Sequence, residues 1–191
     1  MYKNRHQKIL DAATRLFNQK GYTGVTTAEI AKEAATSEPT MYKHFKNKKE
    51  LFLACFQSIV GVLFMEYRKV YKENVNDEIS YLREVMEVYY DFVEQNPDKS
   101  MFLAHMLSYR DIPEFNNVFK EFIGRSIGSI RKMIESAKEK GKIKSKVDSG
   151  FLAGMFVIQY FTPIALKEFM NQKYLMGETF FQAICDMLKI D

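Results

Sequence analysis

The sequence contains no tryptophan and few cysteines, prolines and histidines, and these shortages exclude several kinds of site. Its 191 residues include two cysteines, four prolines and three histidines. Cys55 and Cys185 lie far apart and fit no metal-ligand spacing, so we expect reduced thiols in a core. Each histidine stands alone, and there is no nucleophile–base pair, metal-ligand cluster or phosphate-binding loop. The sequence therefore predicts no metal, no cofactor and no enzymatic activity.

Long apolar runs without charge are also missing. None approaches the roughly 20 residues that a membrane-spanning helix needs, and the N-terminus leads directly into a charged amphipathic pattern instead of a signal peptide. The composition nevertheless supports a substantial core, because 47% of the residues are hydrophobic and 16 are Phe, 11 Tyr and 11 Met. We therefore expect a folded, cytoplasmic protein with no membrane partner.

Positive charge is concentrated in the first quarter of the chain. Residues 1–50 carry ten Lys and Arg against five Asp and Glu, whereas residues 51–191 carry 18 against 19. A net charge of +5 on the first segment and −1 on the rest is typical of a small module that faces a polyanion, attached to a nearly neutral body.

Helix-capping residues divide the first fifty residues into four helices. Four helix starts are marked by capping residues and one helix end by a glycine suited to a left-handed cap: Asn4 with Gln7, Thr26 with Glu29, Ser37, Asn47 with Glu50, and Gly21. Pro39 is compatible with this division because it falls in the first turn of the third helix. Three short helices that lead into a longer fourth one form a helix-turn-helix layout.

The third of these helices, in the stretch from Ser37 to Phe45, has the pattern of a DNA-reading helix. Met41 and Phe45 are four residues apart, so both can dock on a small core from one face of the helix. The other face carries polar and charged side chains that can contact nucleic acid. Such a division suits a helix that enters the major groove of DNA.

The first quarter of the chain also carries the residue pattern of a known family: Arg5, Ile9-Leu10, Ala12-Ala13, Leu16-Phe17, Gly21-Tyr22, Thr26-Thr27, Ile30-Ala31, Ala34, Ser37, Thr40-Met41-Tyr42, His44-Phe45, Asn47-Lys48 and Leu51. With these residues it resembles the DNA-binding domain of the TetR family of transcriptional regulators. Two residues depart from the family pattern: Ala35 stands where the family usually has glycine, and Thr36 where it often has valine. We expect a slightly altered turn at Ala35 if its backbone is left-handed.

The resemblance implies two groups of DNA contacts in a domain spanning residues 1–47 and the start of the next helix. Phosphate contacts are implied for Thr26, Thr27, Tyr42 and Lys48, and base-edge contacts for Glu38, Pro39, Thr40, Lys43 and His44. Glu38 has two readings, since its carboxylate can read a base or can instead stabilise the first turn of its helix and point aside. Tyr22 and Phe45 are assigned to the small core.

The rest of the chain, residues 48–191, predicts a larger helical domain for effector binding and dimerisation, in an all-α protein of about nine helices. The apolar patterns place helices from Lys48 to about Tyr71, from Glu78 to Gln95, from about Glu114 to Lys140, from Phe151 to Met170 and from about Leu175 to Lys189, with a further segment from Met101 to Tyr109. The lysine run from Lys138 to Lys146 is predicted to be an exposed loop.

The last two predicted helices are apolar over too much of their surface for a monomer. The first of them carries a face of small and aliphatic residues, formed by Gly150, Ala153, Gly154, Val157 and Ile158. We therefore expect a two-fold homodimer through these helices, which would place two reading helices on a palindromic operator in double-stranded DNA.

An effector cavity is predicted in the second domain because Pro163 should kink its helix and leave space among aromatic residues. The candidate lining residues are Phe64, Tyr89, Phe92, His105, Phe122, Phe156, Gln159 and Tyr160, each of which could instead be an ordinary core residue. The leading hypothesis is a repressor that a small apolar or amphipathic effector releases from its operator. The alternatives are a regulator without a ligand that responds through Cys55 or Cys185, and a helical enzyme for a hydrophobic substrate.

Overall fold

The protein is all-α over the part of the chain that the structure describes. The computed structural model describes residues 2–159, 161, 181, 182 and 184–186. Eight α-helices and one 3₁₀ turn lie in these residues: α1 Tyr2–Gly24, α2 Thr27–Glu33, α3 Glu38–Tyr42, α4 Lys48–Glu73, α5 Glu78–Gln95, α6 Pro97–His105, the turn Met106–Tyr109, α7 Pro113–Glu139 and α8 Ser149–Ile158. The predicted fold class and the bounds of α5 are confirmed, and the predicted ends of α4 and α7 lie within two residues of the observed ones.

The chain forms two compact units. The first comprises Met1–Val62 and Asn96–Phe115, and the second comprises Leu63–Gln95 and Asn116–Asp191. Both α4 and α7 pass from one unit into the other. The domain boundary predicted from sequence, after residue 47, lies inside the first unit. It stays a prediction of where the DNA-binding domain ends.

The predicted caps of α2 and α3 are confirmed. Thr26 and Glu29 form a complete capping box at α2, in which the Glu29 amide donates to Thr26 Oγ1 at 3.2 Å and the Thr26 amide donates to Glu29 Oε2 at 2.8 Å. Ser37 Oγ accepts from the Thr40 amide at 3.3 Å at the start of α3. These bonds satisfy amides that have no partner within their helix, so local sequence defines where the two short helices begin.

The other two predicted helix starts differ in detail. At α4, Asn47 Oδ1 accepts from the Glu50 amide at 2.8 Å as predicted, but the Glu50 carboxylate accepts from the Lys46 amide at 3.0 Å instead of returning to Asn47. The cap predicted at Asn4 was wrong, because α1 already begins at Tyr2.

Gly21 introduces a sharp kink near the end of α1. Its backbone has φ 70° and ψ 169°, a conformation that is essentially restricted to glycine. The kink turns the chain so that the Tyr22 amide donates to Tyr109 Oη at 2.9 Å. The predicted glycine end of the first helix is confirmed, although the helix resumes for a few residues afterwards.

Ala35 adopts the left-handed backbone conformation that its position in the turn after α2 requires. Its φ is 51°, and the following amide, of Thr36, donates to the Ala31 carbonyl at 2.9 Å as in a helix end closed by a left-handed residue. A side chain at this conformation costs about 1 kcal/mol or more relative to glycine. The strain expected from the departure at Ala35 is therefore present in the turn.

Replacing Ala35 with glycine is expected to stabilise the protein by about 1 kcal/mol, since glycine removes the strain in the turn. Thermal unfolding should show the gain as a melting temperature about 2–4 °C higher. Ala28→Gly is the matched control, because Ala28 is exposed in the regular helix α2 and the same change there should cost about 1 kcal/mol. Equal destabilisation by both variants would contradict the strain.

An aromatic cluster forms much of the core of the first unit. Its members come from α1, α4, α6, the 3₁₀ turn and the start of α7: Phe17, Tyr22, Phe52, Phe102, Tyr109 and Phe115. Phe52 lies at the centre, with its ring centroid 4.3 Å from that of Phe115 and 4.8 Å from that of Phe102. Ring pairs of this kind bury large areas and hold their elements in fixed geometry.

α4 is long and apolar enough to cross a membrane by length and composition alone. Its apolar residues Leu51, Phe52, Phe56 and Leu63 are nevertheless buried inside the protein. The same composition is found in the core helices of folded domains, and burial of these side chains identifies α4 as such a helix.

The lysine run after α7 is only partly the exposed loop that was predicted. Gly141 turns the chain with φ 73°, and Lys138 Nζ donates to the Val147 carbonyl. Lys140 and Lys142 extend to the Glu78 carboxylate at the start of α5. The prediction missed this ion cluster because its carboxylate lies some sixty positions away in the sequence.

Glu78 is a buried carboxylate at the centre of that cluster. Its side chain is 1% exposed, and it accepts hydrogen bonds from Ser136 Oγ at 2.7 Å, from Lys142 Nζ at 2.9 Å and from Lys140 Nζ. Burial alone would raise the pKa of the Glu78 carboxyl, but the hydrogen bonds from Lys140, Lys142 and Ser136 lower it from 4.5 to about 2. The cluster joins the start of α5 to the end of α7.

The face of α8 that was predicted to receive a neighbouring helix is partly buried and partly exposed. Ala153 and Val157 are buried within the second unit, whereas Phe151 and Ile158 are each 63% exposed. A side chain at Gly154, between them on the same face, would meet no atom within 4 Å among the described residues. The remainder of the predicted Phe151–Met170 helix, including Pro163, and most of the predicted Leu175–Lys189 helix lie outside the described residues.

Candidate nucleic-acid interface

α3 is positioned by two apolar side chains, as the sequence predicted. Met41 and Phe45 are 1% and 3% exposed and pack into the first unit. Pro39, Tyr42 and Lys43 are exposed on the helix and just after it. The face that carries them is therefore free to meet another molecule, in the manner of a helix that reads DNA.

His44 lies at the edge of this surface, half-buried against α1. Its ring centroid is 5.7 Å from that of His6, and His6 in turn stacks on Phe45 at 4.8 Å. Burial, and then the positive charges of His6 and Arg5, lower the pKa of His44 below its usual 6.5. The imidazole is therefore neutral at neutral pH and has both a donor and an acceptor nitrogen.

The Thr26 hydroxyl is occupied by the cap of α2. It donates to Glu29 Oε2 at 2.9 Å as well as accepting from the Glu29 amide. Hydrogen bonds from Lys20 and from Thr26 lower the pKa of the Glu29 carboxyl to about 2. The predicted phosphate contact by Thr26 stays a prediction, and in the free protein this hydroxyl already has two partners.

Glu38, Thr27 and Tyr42 form a polar cluster between α2 and α3. Thr27 Oγ1 donates to Glu38 Oε1 and lies 3.2 Å from Tyr42 Oη. Tyr42 is 45% exposed, whereas Thr27 and Glu38 are half-buried. The second reading of Glu38, a carboxylate that points aside, matches this position in the free protein.

Thr40 and Ser37 share a hydrogen bond at the start of α3. Their hydroxyl oxygens lie 2.8 Å apart, and the Thr40 amide also donates to Ser37 Oγ. The bond holds the Thr40 side chain beside the cap of α3.

Lys48, the first residue of α4, is tied to the protein itself. Lys48 Nζ donates to the Tyr22 carbonyl and to the Val25 carbonyl, both at 2.8 Å, and lies 4.7 Å from the centroid of the Tyr22 ring. Two of its three N–H bonds are thus used to hold the end of α1 and the loop that follows it against the start of α4. No sequence signal pointed to this arrangement, because its acceptors are backbone carbonyls.

The predicted effector residues fall into both units. In the second unit, the Phe64 and Phe122 rings are 5.7 Å apart, the Tyr89 and Phe92 rings are 6.4 Å apart, and Phe156 is 3% exposed. His105 belongs to the first unit, and Tyr160 lies outside the described residues.

Gln159 stands out among the predicted effector residues by its hydrogen bonding. Its Nε2 donates weakly to the Met155 carbonyl at 3.5 Å, but its buried Oε1 has no donor within the described part of the chain. A buried acceptor in that state costs about 1–3 kcal/mol and marks a place where a ligand could supply the donor.

Neither cysteine is in a reactive environment, and the described residues hold no cluster that could bind a metal ion. Cys55 is 1% exposed and its thiol donates to the Leu10 carbonyl at 3.6 Å. Burial raises the pKa of the Cys55 thiol to about 12, so the nucleophilic thiolate is scarcely present. Cys185 is 7% exposed.

The sequence of this chain is similar to those of known DNA-binding proteins. Residues 9–55 match the sequence profile of bacterial regulatory proteins of the tetR family. Over 82% of this chain and 80% of the relative, the sequence is 27% identical to the nucleoid occlusion factor SlmA of Vibrio cholerae. It is 24% identical to the transposon Tn10 TetC protein of Escherichia coli over 90% of this chain and 86% of that protein.

The whole fold also matches a solved structure. AibR, in complex with isovaleryl coenzyme A and operator DNA, superposes with a TM-score of 0.76 at 20% sequence identity, over 96% of this chain and 97% of the other. The likeness extends over both units and so includes the helices beyond the matched profile. With this helix-turn-helix surface, residues 9–55 form a DNA-binding domain like that of the tetR family of bacterial regulatory proteins, and the chain has the fold of a solved transcriptional regulator of that family.

Proposed function

We propose that this regulator is a repressor that binds a palindromic operator as a homodimer and leaves it when a small apolar or amphipathic effector binds the second unit. The observation that carries the effector part is the buried Gln159 oxygen without a donor in the described residues. The AibR structure, which contains both an acyl coenzyme A and operator DNA, supports the same combination of ligands in this fold.

The proposed base contacts come from the exposed side of α3. Lys43 can donate to guanine, Pro39 and the Thr40 methyl group can meet a thymine methyl, and neutral His44 can pair with a base edge. Phosphate contacts are assigned in this proposal to Tyr42, Thr26 and Thr27, as the family resemblance implies. The start of α4 adds backbone amides and a favourable helix dipole, so the contribution of Lys48 is to hold this region in place as well as to add charge.

The proposed dimer uses the outward side of α8. Phe151 and Ile158 are seven residues apart and therefore lie on one stripe of the helix, with Gly154 between them allowing a second helix to approach closely. Burying this stripe against its copy removes two large exposed side chains per protomer from water. Sedimentation at micromolar concentration should give a dimer, and a monomer would contradict the palindromic operator.

The effector proposal rests on a hydrogen bond that a ligand can donate to Gln159. An effector with an N–H or O–H group could donate to Gln159 Oε1 and recover the cost of burying this acceptor. The aromatic side chains of Phe156 and of the Phe64–Phe122 pair, all in the second unit, would suit its apolar part. Such a ligand shifts the regulator only if it binds more tightly to the conformation that fits DNA poorly.

Replacing Gln159 with leucine is expected to weaken the response to effector without lowering the stability of the protein. The variant should be as stable as the wild type or more stable, because the unsatisfied acceptor is gone, while its response to effector falls about tenfold with the lost hydrogen bond. The measurement is release of a fluorescent DNA duplex, selected from a random library by the wild-type protein, on titration with isovaleryl coenzyme A. Gln182→Leu, at an exposed glutamine bonded to Asp186, is the control.

Native mass spectrometry of the purified protein tests the proposal independently of that probe. A dimer that carries a discrete extra mass, released on denaturation, would support the effector and reveal its class. If Gln159→Leu responds like the wild type to every released compound, the assignment of Gln159 is wrong. If random-library selection yields no preferred DNA sequence, the operator proposal fails.

A second candidate is a DNA-binding protein that acts without a small effector. The similarity to a nucleoid occlusion factor along most of the chain favours it. Its thiol-responsive version is disfavoured by the burial of Cys55 and the raised pKa of its thiol. DNA binding that no small molecule alters, by a dimer without cargo, would favour this candidate over the repressor.

A further inference from the structure

Glu38, Thr27 and Tyr42 form a cluster in which the two hydroxyl groups have one hydrogen each. These hydrogens cannot both bond within the cluster and donate to DNA. A carboxylate has no hydrogen to donate, and each hydroxyl has one. Thr27 Oγ1 donates its hydrogen to Glu38 Oε1. In the contact between Thr27 Oγ1 and Tyr42 Oη at 3.2 Å, the donor must therefore be Tyr42.

The direction of these two bonds has a consequence for phosphate binding. Phosphate oxygens accept hydrogen bonds and cannot donate them. In the arrangement Tyr42 to Thr27 to Glu38, both hydroxyl hydrogens point into the protein and only oxygen lone pairs face outward. A phosphate that approaches Tyr42 or Thr27 would meet lone pairs until the hydrogen bonds break.

We propose that Glu38 is a negative determinant of DNA affinity, which acts through Thr27 and Tyr42 by keeping their hydroxyl hydrogens away from the phosphates. It is thus a positioning residue and reads no base. This inference rests on the proposed phosphate contacts of Thr27 and Tyr42. The bond from Tyr42 is the longer and weaker of the two, so DNA can break it, but part of the binding free energy is used to do so.

Replacing the carboxylate by an amide reverses the direction of the chain of hydrogen bonds. The Gln side chain of a Glu38→Gln variant can donate its N–H to Thr27 Oγ1, which frees the Thr27 hydrogen and removes the need for Tyr42 to donate inward. We expect the variant to bind DNA about tenfold more tightly, the size of one hydrogen bond to a charged phosphate. The gain should be the same for the selected operator and for unrelated DNA, because phosphates carry no sequence information.

Loss of a negative charge near DNA would also raise affinity. Two measurements distinguish this effect from the gain due to the freed hydroxyl hydrogens. Charge repulsion is screened by salt, so its share of the gain shrinks between 0.1 and 0.3 M salt, whereas a gain from hydrogen bonds to phosphate persists. Glu33→Gln is the matched control, since Glu33 is an exposed carboxylate at the end of α2 that pairs with Arg15 at 3.1 Å and lies outside the cluster.

The deciding experiment is a mutant cycle with Tyr42→Phe and with Thr27→Val, measured by fluorescence anisotropy on the selected operator and on a scrambled duplex. If the proposal holds, Glu38→Gln gains less in the Tyr42→Phe background, where only the Thr27 hydrogen is freed, and nothing when both hydroxyls are absent. Circular dichroism establishes that each variant is folded, and the single Tyr42→Phe background suffices if the double variant is not.

Three results would overturn the inference. An undiminished gain without the hydroxyls would reduce Glu38 to simple charge repulsion. A loss of affinity for every sequence would make Glu38 a stabiliser of the reading helix, and an altered preference at one base pair would make it a base reader. None of these results affects the proposed repressor function, which fails separately if the wild type selects no DNA sequence.

Discussion

Glu78→Gln is expected to lower the free energy of unfolding by about 3 kcal/mol at neutral pH. The folded protein holds the pKa of Glu78 at about 2, against an ordinary value of 4.5, and a difference of that size corresponds to about 3 kcal/mol. The amide of the variant keeps the shape of the side chain, but Lys140 loses its carboxylate partner and Lys142 retains only Asp77, at 3.7 Å. Chemical denaturation of the two proteins at pH 7 gives the difference directly.

The same comparison has a defined pH dependence. Because the pKa of Glu78 is depressed in the folded protein, its contribution is complete above the ordinary pKa of 4.5 and is lost as the pH falls from there towards 2. The stability difference between wild type and Glu78→Gln should therefore be constant from pH 6 to 7 and shrink between pH 5 and 2. Other carboxyl groups titrate in both proteins and cancel in the difference.

Glu139→Gln is the control for Glu78. Glu139 is the last residue of α7, in the same part of the second unit, and it is exposed. The variant has the same change in charge without a buried partner, and exposed charges of this kind contribute little to stability. A loss of stability at Glu139 equal to that at Glu78 would show that net charge, and not the buried cluster, is responsible.

Lys48→Met is expected to destabilise the first unit by about 2–3 kcal/mol and to weaken DNA binding at least tenfold. The change removes two hydrogen bonds from an ammonium group to the Tyr22 and Val25 carbonyls, and charged hydrogen bonds are each worth about 1.5–3 kcal/mol. Methionine retains the apolar part of the side chain but not the ammonium group that lies over the Tyr22 ring. Loosening the loop between α1 and α2 displaces α2 and, with it, the reading helix α3.

Salt dependence distinguishes this structural role from a phosphate contact. A lysine that neutralises a phosphate contributes about one to the slope of log affinity against log salt. If Lys48 acts mainly by holding the loop, Lys48→Met lowers affinity at every salt concentration and leaves the slope unchanged. A slope reduced by about one, with normal thermal stability, would restore the phosphate contact as its main role.

Lys49 provides the matched control for Lys48. It is the next residue of α4 and pairs on the surface with Glu114 at 2.6 Å, and that hydrogen bond raises the pKa of Lys49. Both partners are exposed, so solvent and salt screen the pair. Lys49→Met should leave the melting temperature unchanged, and a large shift would show that any lysine at the start of α4 stabilises the domain.

The sequence was sufficient for the features that depend on local physical chemistry. Caps such as Thr26 with Glu29, the break at Gly21 and the spacing of Met41 and Phe45 act within a few residues of the chain. Each therefore predicted an element that the structure contains, and together they led to the helix-turn-helix layout. The bounds of α5 followed likewise from the local apolar pattern.

Only the tertiary structure determined what the polar side chains contact. Lys48 donates to the Tyr22 and Val25 carbonyls, Glu38 accepts from Thr27 and Glu78 accepts from Lys140, and all these partners are distant in the sequence. The DNA contacts of Lys48 and Glu38 stay predictions. Hydrogen bonds and ion pairs are directional and short-ranged, so their partners are known only once the helices have packed. For the same reason the sequence did not show which side of α8 packs into the second unit, where Ala153 and Val157 are buried and Phe151 and Ile158 are exposed.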